Sequence, residues 1–508
     1  MHAGFWSSSP EPSNGPRLST LSTFEALLKV LRDVYEGPGS HGILRTAASI
    51  GGVHVVLRAY PGEGGFQALY GARTRSGDLP AFSLSPVREH ASESWGAGDV
   101  ARDLSGVARR RPEAETLLLA RSETALLAGE GTPITALPEN PGTGRSPKLV
   151  TCEWESPGMR ETEAADKVFL DLVKAHAQAQ PKSPGPTVNI FGSPVLGSSV
   201  EAEVAEVERV LGLVGIGVNV RAPLGASVED LGNLPRAWAN VVLYRETTES
   251  ASLYLQDEFG MPQITTPPFG SVGTGAVLRA AGELCSLDPK RVRRTAWAEL
   301  ARTAKLSWYA RLAAPETFRG RRVALFGDLT YTTGLGYTLA REVGLEVAWA
   351  GTYLTHLEKD FRFRADTFTD EAFVADDPET VAARVEATSP DLLVGTRLEA
   401  EVAGSLGITF LPLCPPILEP RFVERPLMGY AGSSELADIL DHALHEPRGL
   451  AAEHEIPPQG PAWTEEALAE LEEVPAFLRG RARRLAEEHA RAVGSSRVTP
   501  EIMDESRS

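Results

Sequence analysis

Two acidic residues stand at places where a carboxylate can take part in chemistry. Asp328 follows an apolar run at 322–326 that predicts a buried strand, and doubly wound sheets bind ligands at the carboxyl ends of their strands. An acid there can donate a proton if burial raises its pKa, or it can cap the following helix. Glu63 lies in a Gly-Glu-Gly-Gly loop, where a carboxylate can approach a ligand or metal ion closely or serve as an ordinary turn acid.

Glycine-rich turns are the second class of candidate, because backbone N–H groups at the start of a helix can bind phosphate. The segment at 192–197 follows a predicted strand but lacks the third glycine of a dinucleotide-binding fingerprint. The segment at 270–275 has the glycines and is predicted to open a helix at Ala276. A plain turn is the alternative for both segments. Since the chain contains no P-loop, we expect it not to bind ATP by itself.

Composition and charge exclude several functions. The chain has 50 basic and 68 acidic residues, a net charge of −18, which argues against non-specific binding to nucleic acid. Cys152, Cys285 and Cys414 are widely separated, which excludes a zinc ribbon and an iron–sulfur site built by this chain alone. No apolar run approaches the roughly 20 residues that span a bilayer, and the first residues lack a secretory signal pattern. We therefore expect a soluble cytoplasmic protein.

Parallel strands alternating with helices are predicted to position these residues. Short apolar runs predict strands at 53–57, 116–120, 187–192, 218–220, 239–244, 322–326, 346–350, 392–395 and 408–411. Between them, helices are predicted at 200–213, where valines share one face, and at 335–343. The alternation predicts an α/β fold with three Rossmann-like parallel-sheet domains and a small C-terminal helical domain.

Proline- and glycine-rich stretches predict where the domains divide, because such segments end helices and strands. The predicted units are a disordered leader (1–27), an N-terminal α/β domain (28–180), a middle Rossmann-like domain (187–318), a third Rossmann-like domain (319–446) and the C-terminal helical domain (461–508). The clearest internal boundary is the linker at 181–186, which reads Pro-Lys-Ser-Pro-Gly-Pro.

Several segments together resemble one known family. They are Gly-Val-Asn-Val at 217–220 with Ala-Pro-Leu-Gly-Ala-Ser at 222–227, Asn-Val-Val-Leu-Tyr-Arg-Glu at 240–246, Gly-Arg-Arg-Val-Ala-Leu-Phe-Gly-Asp at 320–328 and Val-Pro-Ala-Phe-Leu-Arg-Gly at 474–480. The chain resembles the B subunits of light-independent protochlorophyllide reductase, which belong to the nitrogenase component-1-like proteins. Because the matching segments run from about Tyr35 to the C-terminus, the resemblance is more specific than any one motif.

The resemblance implies a reaction and the partners it needs. In the family, the B subunit pairs with a related N subunit as a heterotetramer of two copies of each. A separate ATP-hydrolysing iron–sulfur L protein delivers electrons, so ATP is hydrolysed by the partner and not by this chain. The electrons pass through a 4Fe-4S cluster shared between N and B. They reach protochlorophyllide, whose C17=C18 double bond in ring D is reduced to give chlorophyllide a.

The resemblance also implies roles for individual residues. Asp328 matches the aspartate that donates a proton to the substrate. Glu63 falls where the family has the aspartate that ligates the cluster, for which the N subunit supplies three cysteines. Gly395, Thr396 and Met428 lie in segments that keep the family order, and they are the predicted substrate-binding residues.

Some positions depart from the family pattern. Tyr331 stands where the family has a histidine, and Glu123 stands where it has a cysteine. These departures leave two alternatives open. The chain could belong to a related tetrapyrrole reductase, such as chlorophyllide reductase, or it could be a non-catalytic tetrapyrrole-binding scaffold.

Overall fold

A computed structural model describes most of the chain between Tyr35 and Glu505. The described residues are 35–60, 82–86, 97–122, 125, 146–152, 158–194, 199–303, 320–416, 425–445 and short stretches between 462 and 505. The chain divides into two compact units, Met1–His445 and Glu446–Ser508. The predicted leader at 1–27 lies outside the described residues, and the predicted domain boundaries within the first unit stay predictions.

The first sheet is parallel and carries the strands predicted at 53–57 and 116–120. Its strand order is β3-β2-β4-β5. Its strands are β2 (Val53–Ala59), β3 (Phe82–Pro86), β4 (Thr116–Arg121) and β5 (Lys148–Thr151), while β1 (Ile50–Gly51) belongs to a separate two-stranded sheet. The helices are α1 (Gly39–Ala48), α2 (Ala97–Arg110) and α3 (Glu161–His176). Consecutive residues of β2 and β4 are buried, as expected for parallel strands covered on both faces.

Helices α1 and α3 approach each other closely at Gly42. A Cβ atom on Gly42 would lie 2.0 Å from the backbone oxygen of Glu161. We expect Gly42→Ala to destabilise the protein by about 1–3 kcal/mol, because the two backbones must separate. The control is Gly212→Ala, where a Cβ atom would meet nothing within 4 Å beyond the backbone of its own helix and where a helical alanine should stabilise by about 0.5–1 kcal/mol. Denaturant unfolding of both variants checks the prediction, and equal effects would contradict it.

The second sheet is also parallel, with the order β10-β9-β6-β7. Its strands are β6 (Thr187–Phe191), β7 (Gly217–Ala222), β9 (Ala239–Val242) and β10 (Gln263–Ile264), while β8 (Ala226–Ser227) pairs with β1. The helices are α4 (Val200–Val214), α5 (Val228–Asn233), α6 (Arg245–Phe259), α7 (Gly270–Leu284) and α8 (Pro289–Thr303). One apolar core joins the first two sheets, where the rings of Phe169 and Phe191 lie edge to face at 5.5 Å.

The third sheet is parallel, with the order β13-β12-β11-β14-β15. Its strands are β11 (Arg322–Gly327), β12 (Glu346–Thr352), β13 (Ala372–Val374), β14 (Leu392–Val394) and β15 (Thr409–Leu411). The helices are α9 (Leu329–Thr338), α10 (Glu358–Ala365), α11 (Pro378–Thr388), α12 (Ala400–Leu406) and α13 (Gly429–His445). The prediction of three Rossmann-like parallel sheets is confirmed.

Helix α9 begins earlier than the predicted 335–343 segment. Asp328 caps its first turn, and a π-helical segment at 339–343 continues it. Threonines have low helix propensity, but Thr333 and Thr338 donate their hydroxyls to backbone carbonyls four residues earlier. Burial of nearly the whole helix therefore outweighs the weak intrinsic preference.

The second unit is described only in part. Strand β16 (Ala462–Trp463) pairs in parallel with β17 (Arg497–Val498), and helix α14 (Pro500–Glu505) follows. Ala467, Ala486, Ala490, Val498 and Met503 form a small apolar core. Across the described residues of both units, no helix combines the length and the apolar character needed to cross a bilayer.

Candidate functional site

Three acids follow the carboxyl ends of three central strands and meet in the protein interior. Glu203 lies in the first turns of α4 after β6, Glu246 starts α6 after β9, and Asp328 precedes α9 after β11. All three side chains are buried, with 0%, 5% and 4% of their surface exposed. The second and third sheets therefore bring their carboxyl ends together around one acidic cluster, which is the place where doubly wound sheets bind ligands.

Asp328 is both a helix cap and a candidate acid. Its Oδ1 accepts a hydrogen bond of 2.8 Å from the backbone N–H of Tyr331, which satisfies an unpaired group at the start of α9. Its carboxyl group also hydrogen-bonds to the carboxyl group of Glu246. Burial raises the pKa of Asp328 well above its usual value, and the negative charge of Glu246 raises it further. The capping role thus leaves the proton-donor role possible.

Glu246 accepts hydrogen bonds that stabilise its charged form. Thr330 donates its hydroxyl to Glu246 Oε2 at 2.6 Å, and the same hydroxyl lies 3.3 Å from the backbone oxygen of Leu243. Burial raises the pKa of Glu246, whereas Thr330, Asp328 and the neighbouring Arg245 lower it. Two buried carboxyls in contact cannot both be ionised at low cost, which favours a state in which the pair shares one proton.

The Glu203 carboxyl group accepts hydrogen bonds from three separate segments of the chain. Tyr331 donates its hydroxyl to Glu203 Oε1 at 2.6 Å, Tyr244 donates to Oε2, and the N–H of Leu427 lies 3.4 Å from Oε1. Burial raises the pKa of Glu203, and the pKa values of both tyrosines are raised well above 10. The tyrosines therefore act here as neutral hydrogen-bond donors.

Gly395 lies at the same sheet edge as Asp328, because β14 pairs with β11. The Cys414 N–H donates to Gly395 O at 2.9 Å, and a Cβ atom on Gly327 would lie 2.3 Å from the Cβ of Cys414. A Cβ atom on Gly395 itself would lie 2.8 Å from Glu399 Oε2. This edge is therefore packed too closely for a side chain at either glycine.

Thr396 and Met428 are both buried, but their surroundings differ. The Thr396 N–H and hydroxyl donate to Glu399 Oε2 at 2.7 and 2.8 Å, which forms a capping box. Tyr35 donates to the other oxygen of Glu399 at 2.5 Å. Met428 pairs with Phe269 across an isolated bridge, and the Phe269 ring lies 5.1 Å from that of Tyr331. Met428 thus lies next to the acidic cluster, since the N–H of the preceding Leu427 is 3.4 Å from Glu203 Oε1, whereas Thr396 is engaged by Glu399.

The glycine-rich segment at 270–275 is not an open phosphate turn. Helix α7 already begins at Gly270, so the predicted start at Ala276 is wrong. The Glu342 carboxylate accepts from the Ser271 N–H at 2.8 Å, the Ser271 hydroxyl at 2.6 Å and the Val272 N–H at 3.0 Å. An acidic side chain of the chain itself occupies the position that an anion would take. The segment at 192–197 lies partly outside the described residues.

The chain is similar to known reductase subunits along nearly its whole length. The model of Nitrogenase component 1 type Oxidoreductase matches residues 123–445, and that of the Proto-chlorophyllide reductase 57 kD subunit matches 463–507. The B subunit of light-independent protochlorophyllide reductase from Chlorobium limicola is 30% identical over 93% of this chain and 98% of its own length. The B subunit of the same enzyme from Heliobacterium modesticaldum is 31% identical over 94% and 97%. The chain belongs to the family of light-independent protochlorophyllide reductase B subunits.

The fold of this family is shared with a solved nitrogenase structure. The structure described as "Nitrogenase Cp1 at pH 6.5" superposes with a TM-score of 0.65 at 16% identity, covering 81% of this chain and 93% of that one. At this identity the likeness shows the fold alone. It agrees with the parallel-sheet architecture above, and both the family and the fold class predicted from the sequence are confirmed.

The described residues of this family member contain no candidate metal site. Glu63, the predicted cluster ligand, lies outside the described residues, and the described residues contain no group of three or more metal-ligating side chains. Cys152, Cys285 and Cys414 are buried. Burial raises the pKa of each thiol, that of Cys285 to about 11, which disfavours the thiolate that binds metal. The described residues thus do not fit a cluster.

Glu203 and Glu246 belong to the acidic cluster but were not predicted as site residues. Glu203 lies on the apolar face of α4, near the buried Val200 and Val207. An acid in an apolar stripe is a detectable signal, since buried acids need partners. Glu246 carries the signal that identified Asp328, because it follows the strand predicted at 239–244.

Proposed function

We propose that this chain is the B subunit of an ATP-dependent, light-independent, nitrogenase-like reductase that reduces the C17=C18 double bond of protochlorophyllide ring D to give chlorophyllide a. The relatives that match it along almost their entire length carry the name of this subunit. The observation that carries the proposal is Asp328, a buried carboxyl group at the carboxyl end of β11 whose pKa is raised by burial and by Glu246. Such an acid can keep a proton at neutral pH and deliver it to a substrate.

The chemistry assigned to this chain is one proton transfer. Reduction of a carbon–carbon double bond needs two electrons and two protons. Asp328 supplies one proton: its O–H bond breaks as a C–H bond forms, and Asp328 is left as a carboxylate that takes its next proton from solvent. The electrons come from outside this chain, from the ATP-hydrolysing iron–sulfur L protein. No residue of this chain is assigned to the second proton.

A nitrogenase component 1 type protein is expected to work with a metal–sulfur cluster, and membership of a B-subunit family implies partner subunits. We infer that the cluster is a 4Fe-4S cluster shared with the N subunit, that Glu63 is this chain's ligand, and that N supplies the remaining ligands. The assembly is a heterotetramer of two B and two N subunits. It receives electrons from the L protein, which hydrolyses the ATP.

The substrate is proposed to lie beside the acidic cluster. Gly395 shares the sheet edge with Asp328, and Met428 lies next to Phe269, which contacts Tyr331. The hydroxyl of Thr396 is engaged by Glu399, so Thr396 is expected to contact the substrate through its backbone or methyl group.

Reconstitution tests the proposed reaction. The chain is expressed with its N and L partners and supplied with ATP, dithionite and protochlorophyllide in darkness without oxygen. Appearance of chlorophyllide absorbance is the expected result. Partners shown to be competent with the B subunit of a relative, yet giving no product with this chain, would contradict the proposal. Turnover of chlorophyllide instead would favour a chlorophyllide reductase, and tight pigment binding without turnover would favour a scaffold.

A further inference from the structure

We propose that Glu246 is the positioning residue that keeps the proton on Asp328, so that the two carboxyls store one proton for delivery to the substrate. The inference rests on the proposed function, in which Asp328 is the donor. It assigns to Glu246 a role that acts through Asp328 and requires no contact with the substrate.

The surroundings of the two carboxyls are unequal. Glu246 accepts from the Thr330 hydroxyl at 2.6 Å, and its pKa is also lowered by its own backbone N–H and by the charge of Arg245, which pairs with Glu249 and Asp360 as well. Asp328 accepts one backbone N–H, from Tyr331 at 2.8 Å. Donors and a positive neighbour favour the charged form of a carboxyl, so negative charge is better stabilised on Glu246. The shared proton therefore resides on Asp328, which donates it to the Glu246 carboxylate.

Other titratable groups face the pair. Asp166 on α3 interacts with Glu246; it accepts from the N–H and hydroxyl of Ser250, and burial raises its pKa to about 7. Glu203 on α4, Tyr331 on α9, Tyr353 after β12 and Cys414 after β15 interact electrostatically with Asp328. The pKa values of both tyrosines and of the thiol are raised well above their usual values by burial, so these groups are neutral near pH 7. The Glu203 carboxyl already accepts from Tyr331 and Tyr244.

The arrangement also explains how Asp328 would regain a proton after donating one. When Asp328 gives up its proton, two negative carboxylates remain in contact in a buried site. Their repulsion is weakly screened, since little water reaches either side chain. Protonation of the pair is then strongly favoured, and the better-stabilised charge on Glu246 directs the incoming proton to Asp328. A single buried aspartate without this partner would lose its proton at a lower pH.

The test replaces Glu246 by glutamine in the assembled complex. Glu246→Gln keeps the size of the side chain and an acceptor for Thr330, but it removes the charge next to Asp328. The pKa of Asp328 should fall, so the alkaline limb of the pH–rate profile should move to lower pH by about one unit or more, a tenfold change in proton affinity. Glu246→Asp, which restores the charge, should move the limb back toward that of the wild type.

A matched control separates this effect from general damage. Glu206→Gln makes the same substitution at another buried acid, which accepts from Arg209 and from the Ala431 N–H. It carries no hydrogen bond to Asp328 among the described contacts, so its alkaline limb should match that of the wild type. An unmoved limb in Glu246→Gln, or an equal shift in Glu206→Gln, overturns the inference.

Infrared titration of the full chain gives a second readout that needs no turnover. Other buried acids, such as Glu36 with its pKa raised to about 8, contribute carbonyl bands of their own, so the Asp328 band is taken as the difference between each protein and the same protein carrying Asp328→Asn. This difference band should persist above pH 7 in the wild type and titrate at lower pH in Glu246→Gln. If Glu246→Gln does not fold, Thr330→Val removes the donor to Glu246, which disfavours the fully charged pair, so the band should persist to higher pH than in the wild type. An unshifted band overturns the inference. A wild-type complex without turnover contradicts only the proposed function, because the infrared result stands independently.

Discussion

Asp328→Asn should lower the turnover of the assembled complex by at least about 100-fold, the smallest contribution commonly made by a positioned general acid. The amide keeps the size of the side chain, and its oxygen can still accept the Tyr331 N–H, so the cap of α9 is preserved. It has no proton to deliver at neutral pH. The measurement is chlorophyllide formation per complex under the reconstitution conditions above, with assembly of the complex checked by size-exclusion chromatography.

Asp377→Asn is the matched control for this variant. Asp377 also caps a helix, since its Oδ1 accepts the Thr380 N–H at 2.7 Å at the start of α11. The same substitution there should leave turnover within about twofold of the wild type, because a surface cap contributes only about 1 kcal/mol to stability. Full activity in Asp328→Asn would contradict the proton-donor role and would mean that Asp328 serves only as a helix cap.

Glu203→Ala should destabilise the protein by about 2–6 kcal/mol, because it leaves two buried hydroxyls without an acceptor at a cost of about 1–3 kcal/mol each. Tyr244 and Tyr331 both donate to this carboxyl group, and all three side chains are buried. Their hydroxyls would lose their acceptor without gaining water, and the missing side chain would leave a cavity. The shift of the denaturant midpoint of the full chain measures the loss.

Glu208→Ala makes the same substitution further along helix α4 and serves as the comparison. Glu208 forms an ion pair with Arg221, with 36% and 51% of the two side chains exposed. Exposed pairs contribute between 0 and about 1 kcal/mol. A loss in Glu203→Ala no larger than that in Glu208→Ala would mean that water or rearrangement satisfies the tyrosines, and that the cluster does not stabilise the junction of the two sheets.

The strands were predictable because their signal is local. Runs such as 53–57 and 322–326 are apolar except at His54 and Arg322, and in the structure they are strands buried on both faces. A parallel strand needs nothing more specific than this composition. The start of α9 was not predictable in the same way, since its threonines have low helix propensity and are held in the helix by burial.

The turn at 270–275 shows that a sequence motif alone does not reveal whether its N–H groups are free to bind a ligand. The glycines and the preceding prolines are typical of a phosphate-binding turn, yet Glu342 fills the helix start from a position 71 residues away in sequence. The carboxylate satisfies the same N–H groups that a phosphate would. No local pattern marks which acid of the chain will arrive there.

From its residues alone, the chain could be assigned to its family and to three parallel sheets, and Asp328 could be placed at the carboxyl end of a strand. Those conclusions depend on composition and on neighbours in sequence. The acids that surround Asp328 depend on packing. Thr330 hydrogen-bonds to Glu246, which is 84 residues away in sequence, and Tyr331 hydrogen-bonds to Glu203, which is 128 residues away. Such contacts form because two sheets bury their strand ends against each other. The periodicity of a sequence records which face of an element is buried, but not which distant side chain it is buried against.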